Sequence, residues 1–313
     1  MGTARGSRFV IFHPYFVNGG GGGDFDGTTK LKMAPTAAPP NNYRKPVPPY
    51  DNSVNSSLKE FTSPKGESLV SMAGGRWNIP FMVCADKFLE MYAAWVTEGH
   101  KNLFLVEQKT AQFKMFMDID IEGDREYSMQ EITVIVKIGI QPVVKRMYGR
   151  VLSDDALHVV ICTSNKTKLT KSGKIKTGVH LIWPNLIANK SRAYHIRDMV
   201  IAHLGTESKK SYLLPKLDWF KVIDRVVFDG SGLRMIMSKK ADPCHVCGGR
   251  QKDKIAACDT CSDMGRVTDD RFYAPASIID AASNERQDLF DAMMHGGDTP
   301  NLRMVVALSI RVS

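Results

Sequence analysis

Phe113-Lys-Met-Phe-Met-Asp-Ile-Asp-Ile121 is the stretch whose reading decides the fold. Taken with a period of two, it is a buried strand with two acids near its end. A two-residue spacing puts the Asp118 and Asp120 carboxylates on one face. Burying one unpaired carboxylate is costly, and burying two side by side costs more unless a cation neutralises them. Mg²⁺ or Mn²⁺, which take oxygen ligands, would meet that need. The plainer alternative is a strand end that reaches solvent with two hydrated acids. These nine residues do not choose between the two.

Outward from this strand, apolar periodicity alternates between strand and helix spacing. On the N-terminal side, Asn102–Val106 reads as a strand. Before it, Phe88, Tyr92, Trp95 and Val96 recur at helical spacing until Gly99. Ser71-Met-Ala-Gly-Gly-Arg-Trp-Asn-Ile-Pro80 is a glycine turn carrying a cation, Arg76, and an aromatic. On the C-terminal side, Ser128-Met-Gln-Glu131 is a capping box that opens a helix, and Pro142 is expected to kink it. Leu157–Thr163 predicts a strand, and Ser164–Lys176 a polar loop with Lys166, Lys168, Lys171, Lys174 and Lys176. Gly178–Trp183 predicts a strand that carries His180 and is closed by Pro184. A helix is expected from about Ser191 to Leu204. Val222–Phe228 and Leu233–Met237 are expected to pair across the Asp229-Gly-Ser-Gly turn.

Residues 1–57 contain the glycine run Gly19–Gly23 and then Pro35, Pro39, Pro40, Pro46, Pro48 and Pro49. Such a segment cannot bury enough surface to offset its ordering entropy, so a disordered Gly/Pro-rich tail is expected, with Met33 as an alternative start. The remaining 58–313 are expected to form one folded domain, with 241–268 as a small insert.

The chain has 313 residues, 43% of them hydrophobic and 24% charged, which is enough for one large domain with a real core. A net charge of +9 favours a polyanionic partner. No run approaches the roughly 18 apolar residues of a membrane span, and Phe9–Val17 is broken by His13 and Pro14, so neither a membrane partner nor a secretory leader is expected. Four of the six cysteines form Cys244-His-Val-Cys247 and Cys258-Asp-Thr-Cys261. Two matched pairs predict a closed, structural Zn²⁺ site rather than a disulfide or a redox pair. Cys84 and Cys162 read as core residues.

Four titratable side chains lie in stretches that otherwise read as core: Asp118, Asp120, His180, and Asp224 within Val222-Ile-Asp-Arg-Val-Val-Phe228. Each alone has a bland reading, a satisfied histidine or an aspartate paired with Arg225 or Arg234. Together, three carboxylates suit two metal ions about 3.5–4 Å apart, which activate an attacking hydroxyl and stabilise leaving pyrophosphate. His180, Lys176, Arg234 and Lys239 suit a triphosphate.

In order and spacing, Phe116-Met-Asp-Ile-Asp120, Lys176-Thr-Gly-Val-His180, Val222-Ile-Asp224 and Leu233-Arg-Met-Ile-Met-Ser-Lys-Lys240 resemble the archaeo-eukaryotic primases. The likeness is closest to the primase-polymerase branch of eukaryotes and large DNA viruses. Ser71–Pro80, Lys114 and Ser309-Ile-Arg311 resemble viral members, so the likeness runs from about Leu69 to the C-terminus. The family often has a serine two places before the histidine, where this chain has Gly178. The helicase domain often fused to viral members has no counterpart after Ser309-Ile-Arg311.

The resemblance implies an α/β fold: a primase-type, RRM-like core with an antiparallel or mixed sheet and flanking helices, plus the zinc insert. It implies that Asp118, Asp120 and Asp224 bind two Mg²⁺ or Mn²⁺ ions. His180, Arg234, Lys239 and Lys176 would hold the triphosphate, with Arg76 and Lys114 as further contacts to nucleotide or template. Nucleoside triphosphates and a single-stranded DNA template are the implied substrates, with a separate replicative helicase as a partner, in the nucleus or a viral replication factory. Two rival readings stand beside it: an Asp-x-Asp glycosyltransferase, and an inactive zinc-ribbon module that only binds nucleic acid.

Overall fold

The computed structural model describes residues 58–61, 68–72, 76–79, 81–98, 103–230, 232–248, 258, 265–268, 270–284, 286–288, 305–306 and 308–311. The expected tail at 1–57 and Cys261 lie outside these residues, as does the side chain of Cys84.

In chain order the strands are β1 (Leu69–Ser71), β2 (Arg76–Trp77), β3 (Leu105–Glu107), β4 (Phe113–Gly123), β5 (Val159–Ser164) and β6 (Lys168–Leu169). They continue with β7 (Ile175–Ala188), β8 (Leu233–Arg234), β9 (Ala241–Pro243), β10 (Arg266–Thr268), β11 (Tyr273–Ile279) and β12 (Arg286–Asp288). The helices are α1 (Phe81–Thr97), α2 (Met129–Val134), α3 (Gln141–Tyr148), α4 (Lys190–Lys210) and the single turn α5 (Trp219–Val222).

The main sheet runs β12-β11-β5-β7-β4, with β6 pairing on β7; a second sheet runs β2-β1-β3-β8, and β9 and β10 form a ribbon. Every pairing among the described strands is antiparallel. The opening nonapeptide is the heart of β4, where Phe113, Met115, Phe116, Met117, Ile119 and Ile121 are buried and the acids alternate with them.

The capping box forms as its residues require. The Ser128 amide donates to Glu131 Oε2 at 2.9 Å, and the Glu131 amide donates to Ser128 Oγ at 3.3 Å. The kink expected at Pro142 takes the form of a π-helical turn, Ile135–Ile140, between α2 and α3. Pro142 then sits in the first turn of α3, where its missing N–H costs nothing. Within the π turn Gly139 admits Leu204 of α4: a Cβ there would lie 2.0 Å from the Leu204 side chain.

Two expectations fail. The histidine strand does not close at Pro184, since β7 runs on to Ala188. The register against β4 shifts between Lys114 and Phe116, whose partners are Ile187 and Ile182. The extra residues of this bulge include Pro184, which has no amide to give a ladder. The Val222–Phe228 and Leu233–Met237 hairpin does not form either. Ile223 makes a single bridge to Ile119, and Val226–Phe228 is a 3₁₀ turn that drives Phe228 against Phe113 and Phe116 at ring distances of 6.4 and 5.1 Å. Burying that ring outweighs strand pairing. Gly230 and Gly232, with φ of 151° and 69°, swing the chain to the second sheet instead. A Cβ on Gly232 would lie 2.1 Å from the Glu107 carbonyl oxygen, so β8 needs glycine there to pair with β3.

The C-terminal segment closes the assembly. The Lys114 amide donates to the Ile310 carbonyl at 2.7 Å, and buried Glu107 accepts from Ser309 Oγ at 2.5 Å and from the Ile310 amide at 3.0 Å. Arg311 Nη2 donates to the Ile79 carbonyl at 3.3 Å. Ser309-Ile-Arg311 thus ties β3, β4 and the segment after β2 together. No helix among the described residues is long and apolar enough to cross a membrane.

Candidate active site

In the β4–β7 ladder Asp118 faces His180 and Asp120 faces Gly178. Cross-strand partners share a face, so both acids and the histidine stand on one side of the main sheet. Asp224 joins them from a different part of the chain: its amide donates to the Asp118 carbonyl at 2.9 Å, next to the Ile119–Ile223 bridge. The backbone of the third acid therefore lies beside that of the pair, by a bridge at the end of α5 rather than within a strand.

The acids are electrostatically strained. Burial, then the neighbouring Asp120 and Asp224 charges, push Asp118 up to about 8. Its Oδ1 is buried and has no hydrogen-bond partner. Asp120 is drawn to Lys176, with Oδ2 2.5 Å from Nζ, and Asp224 Oδ1 accepts from the Val226 amide at 2.8 Å. Among the described residues, the three acids do not bring an oxygen each within 4.8 Å of one another. An orphaned buried oxygen between like charges is nonetheless the environment that hard divalent cations relieve, and the all-oxygen donor set suits Mg²⁺ or Mn²⁺.

His180 departs from expectation. It is 2% exposed and its Nδ1 has no hydrogen-bond partner, while Nε2 lies 3.6 Å from Asp118 Oδ1. Burial, and after it the charge of Arg234, keeps the imidazole neutral, well below its ordinary pKa. The ring of Tyr273 lies on it, with centroids 3.4 Å apart and planes 27° apart, and Arg234 lies 4.7 Å from the centre of the Tyr273 ring. His180 is therefore not an open ligand for a triphosphate. The order away from the sheet is imidazole, phenol, guanidinium.

The other expected cations sort into two groups. Arg234 donates to the Arg271 carbonyl at 2.7 Å, Lys239 to Asp270 at 3.0 Å, and Lys168 reaches Asp242 at 3.5 Å, so these reach out from the rim. Arg76 stands in one cross-strand row with Val70, Val106 and Arg234. Three strand spacings put it roughly 14 Å from Arg234, on the same face of the second sheet. Lys114 has a different job: its ammonium donates to the Val306 carbonyl at 2.8 Å, and burial, opposed by Glu107, lowers it to about 8. This bond places Lys114 in the anchorage of the C-terminal segment, with the Glu107 charge nearby.

The cysteine insert stands on the β9–β10 ribbon. Cys244, Cys247 and Cys258 bring their sulfurs within 4.8 Å of one another, with Cys244 and Cys258 3.8 Å apart. A tetrahedral ion with bonds of about 2.3 Å needs sulfurs about 3.8 Å apart, so the thiols fit zinc. The knuckle turn is present: the Gly248 amide donates to the Cys244 carbonyl at 2.7 Å and Gly248 has φ 63°. Cys261, the fourth expected ligand, and Arg250, Lys252 and Lys254 lie outside the described residues.

Sequence reading missed Tyr273. The one signal for it was Gly178, since a glycine inside a strand marks a place where another group comes close. A Cβ on Gly178 would lie 2.5 Å from the Tyr273 hydroxyl.

A family model described as "C962R protein N-terminal AEP domain" matches residues 68–247, a span that holds all three acids, His180, Arg234, Lys239 and the first cysteine pair. Comparison with curated proteins gives no match.

Proposed function

Since the chain belongs to the archaeo-eukaryotic primases, in the primase-polymerase branch found in large DNA viruses, we propose that it is a DNA primase-polymerase module. It would join nucleoside triphosphates to a 3′-hydroxyl on a single-stranded DNA template. The observation that carries this reading is the meeting of Asp118, Asp120 and Asp224 on adjacent backbone, within the matched span.

Asp118, Asp120 and Asp224 would hold two Mg²⁺ or Mn²⁺ ions, which supply charge neutralisation to the α-phosphate and lower the pKa of the attacking hydroxyl. Every other part of the chemistry falls to this chain's own side chains. The 3′-oxygen attacks the α-phosphorus in line, and the bond to the pyrophosphate oxygen breaks. Lys176, freed from Asp120 once that carboxylate has another cation beside it, would take a phosphate oxygen. Arg234 and Lys239 at the rim would hold the leaving pyrophosphate. His180 would set the position of Asp118 from beneath Tyr273. No covalent enzyme intermediate is needed, so the catalytic gain comes from positioning and electrostatics. Template contacts in this reading are electrostatic and salt-sensitive, with Arg76 extending the basic row. The cysteine insert would bind one structural zinc, with Cys261 as fourth ligand.

The test is extension of primed and unprimed DNA templates with labelled triphosphates and Mn²⁺ or Mg²⁺. Wild-type protein should extend, and Asp118→Ala and Asp120→Ala should fall to background. Inert wild-type protein, or active acid variants, would remove the enzyme reading. DNA binding without extension would leave the zinc-ribbon module in its place.

A further inference from the structure

Tyr273 stands outside the span matched by the family model and outside every motif read from the sequence. The ladder explains how it reaches the site. Tyr273 pairs with Ser164 and Pro275 with Cys162, while Cys162 pairs with His180. Tyr273 is therefore on the same sheet face as the acids, two strands from His180. Its side chain lies flat across the intervening strand, which puts the ring on His180 and the hydroxyl over Gly178, the cross-strand partner of Asp120.

Three observations make this more than packing. The side chain is only 6% exposed, yet among the described residues its hydroxyl has no hydrogen-bond partner. The oxygen itself keeps contact with solvent at the edge of the buried ring, where a ligand can reach it. Gly178 lets the phenol oxygen come down close to β7, since a Cβ there would lie 2.5 Å from it. Finally, the groups around that oxygen are those of the nucleotide site: Asp120 with Lys176 on one side, and Arg234 over the ring. Among the described residues of this face, the hydroxyl is a neutral donor with nothing to donate to at the open edge, whereas the unpartnered His180 Nδ1 lies buried beneath the ring.

We propose that Tyr273 is a nucleotide-binding residue: its ring holds His180 in place and its hydroxyl donates to a phosphate oxygen of the incoming nucleoside triphosphate. This rests on the polymerase reading above. The phosphate is favoured over the sugar because Lys176 and Arg234, the cations flanking the phenol, attract phosphate charge.

The experiment uses the full chain and three variants: Tyr273→Phe, Gly178→Ser and the pair combined. Tyr273→Phe keeps the stack and loses only the hydroxyl. It should raise the KM for nucleotide about tenfold, as loss of one hydrogen bond to a charged group does, and should raise KM more than it lowers kcat. The KM rise should be equal for ribo- and deoxyribonucleoside triphosphates. Gly178→Ser alone should impair binding because its Cβ collides with the phenol oxygen. In the combined variant the serine hydroxyl occupies the space vacated by that oxygen, so KM should return toward wild type. Binding of a fluorescent nucleoside triphosphate in Ca²⁺, followed by anisotropy, reads the same order without chemistry. An unchanged KM and Kd in Tyr273→Phe, a change confined to one sugar type, or a combined variant no better than Tyr273→Phe would each overturn the proposal while wild-type protein still extends DNA. Wild-type protein that neither extends DNA nor binds triphosphate would instead defeat the polymerase reading.

Discussion

Replacing Asp118 by Asn should make the ion-free protein more stable while abolishing polymerisation. The structure gives both the sign and the size. In the unfolded chain an aspartate ionises near its ordinary value of 3.8, whereas in the fold burial and the two neighbouring acids push Asp118 to about 8. The folded state therefore binds this proton more tightly than the unfolded state, so stability falls as pH rises. The penalty is absent below about pH 4, grows through the interval, and is complete above about pH 8. At pH 7 the difference corresponds to about 4 kcal/mol at 1.36 kcal/mol per unit. The Asp118 side chain keeps 17% exposure, and the water reaching it brings the penalty to about 2–4 kcal/mol. Asn has nearly the same shape and no charge. For a domain of this size, Asp118→Asn should raise Tm at pH 8 by roughly 5–10 °C, and the gain should shrink steeply by pH 5. Mn²⁺ should raise the Tm of wild-type protein and leave that of the variant nearly unmoved, since cation binding removes the same repulsion. Thermal melts of both proteins, prepared without added divalent ions and scanned from pH 5 to 8.5, decide the matter. A variant that melts below wild type at pH 8, or that keeps the wild-type pH slope, would show that Asp118 is not a frustrated carboxylate and that the cation argument is wrong.

Three further outcomes follow from other parts of the molecule. Glu107→Ala should cost about 3 kcal/mol in urea unfolding, because it strands the Ser309 hydroxyl and the Ile310 amide in a buried place; a loss under 0.5 kcal/mol would mean the C-terminal segment is held by other contacts. Wild-type protein should carry about one zinc ion per chain by elemental analysis, and Cys244→Ser should lose it and melt at a lower Tm; wild-type protein purified without zinc and equally stable would contradict the tetrahedral fit. Lys176→Ala should raise the nucleotide KM and also push Asp118 further upward, since Lys176 opposes that rise more strongly than Arg234 does; an unchanged KM would assign Lys176 to the ion pair with Asp120 alone.

How much of this was legible in the sequence depends on the range of the interaction that decides each element. The strand at 113–121 was legible because alternation, burial and β-branching all act within a few residues, and the same holds for the capping box at Ser128. Pro184 and the Val222–Met237 segment misled because the deciding contacts are remote. A bulge opposite Met115 makes room for the proline. The aromatic cluster of Phe113 and Phe116 claims Phe228 before a hairpin can form. Local turn chemistry at Asp229-Gly-Ser-Gly was real, since the glycines do adopt positive φ, yet it served a crossing between sheets rather than a hairpin.

The site divides along the same line. A residue whose chemistry is costly to bury announces itself in sequence: Asp118, Asp120, His180 and Asp224 stand out because each is polar in an apolar run. Tyr273 did not, since an aromatic at the start of a strand is what any strand would carry. Lys114 misled for the opposite reason. A lysine beside an acidic pair looks functional, but its ammonium bonds the Val306 carbonyl, and the acid whose charge supports it, Glu107, comes from a neighbouring sheet and is itself held by the C-terminal segment. Charge placed by a strand's own period was therefore readable, and charge placed by pairing between sheets was not. Asp118 and Asp120 are fixed by one strand's period, while Asp224 is fixed by a single bridge and one amide bond. In the proposed two-cation reading Asp224 is the least constrained of the three acids, so it would be the one to turn, from the Val226 amide, to close the carboxylates around a cation.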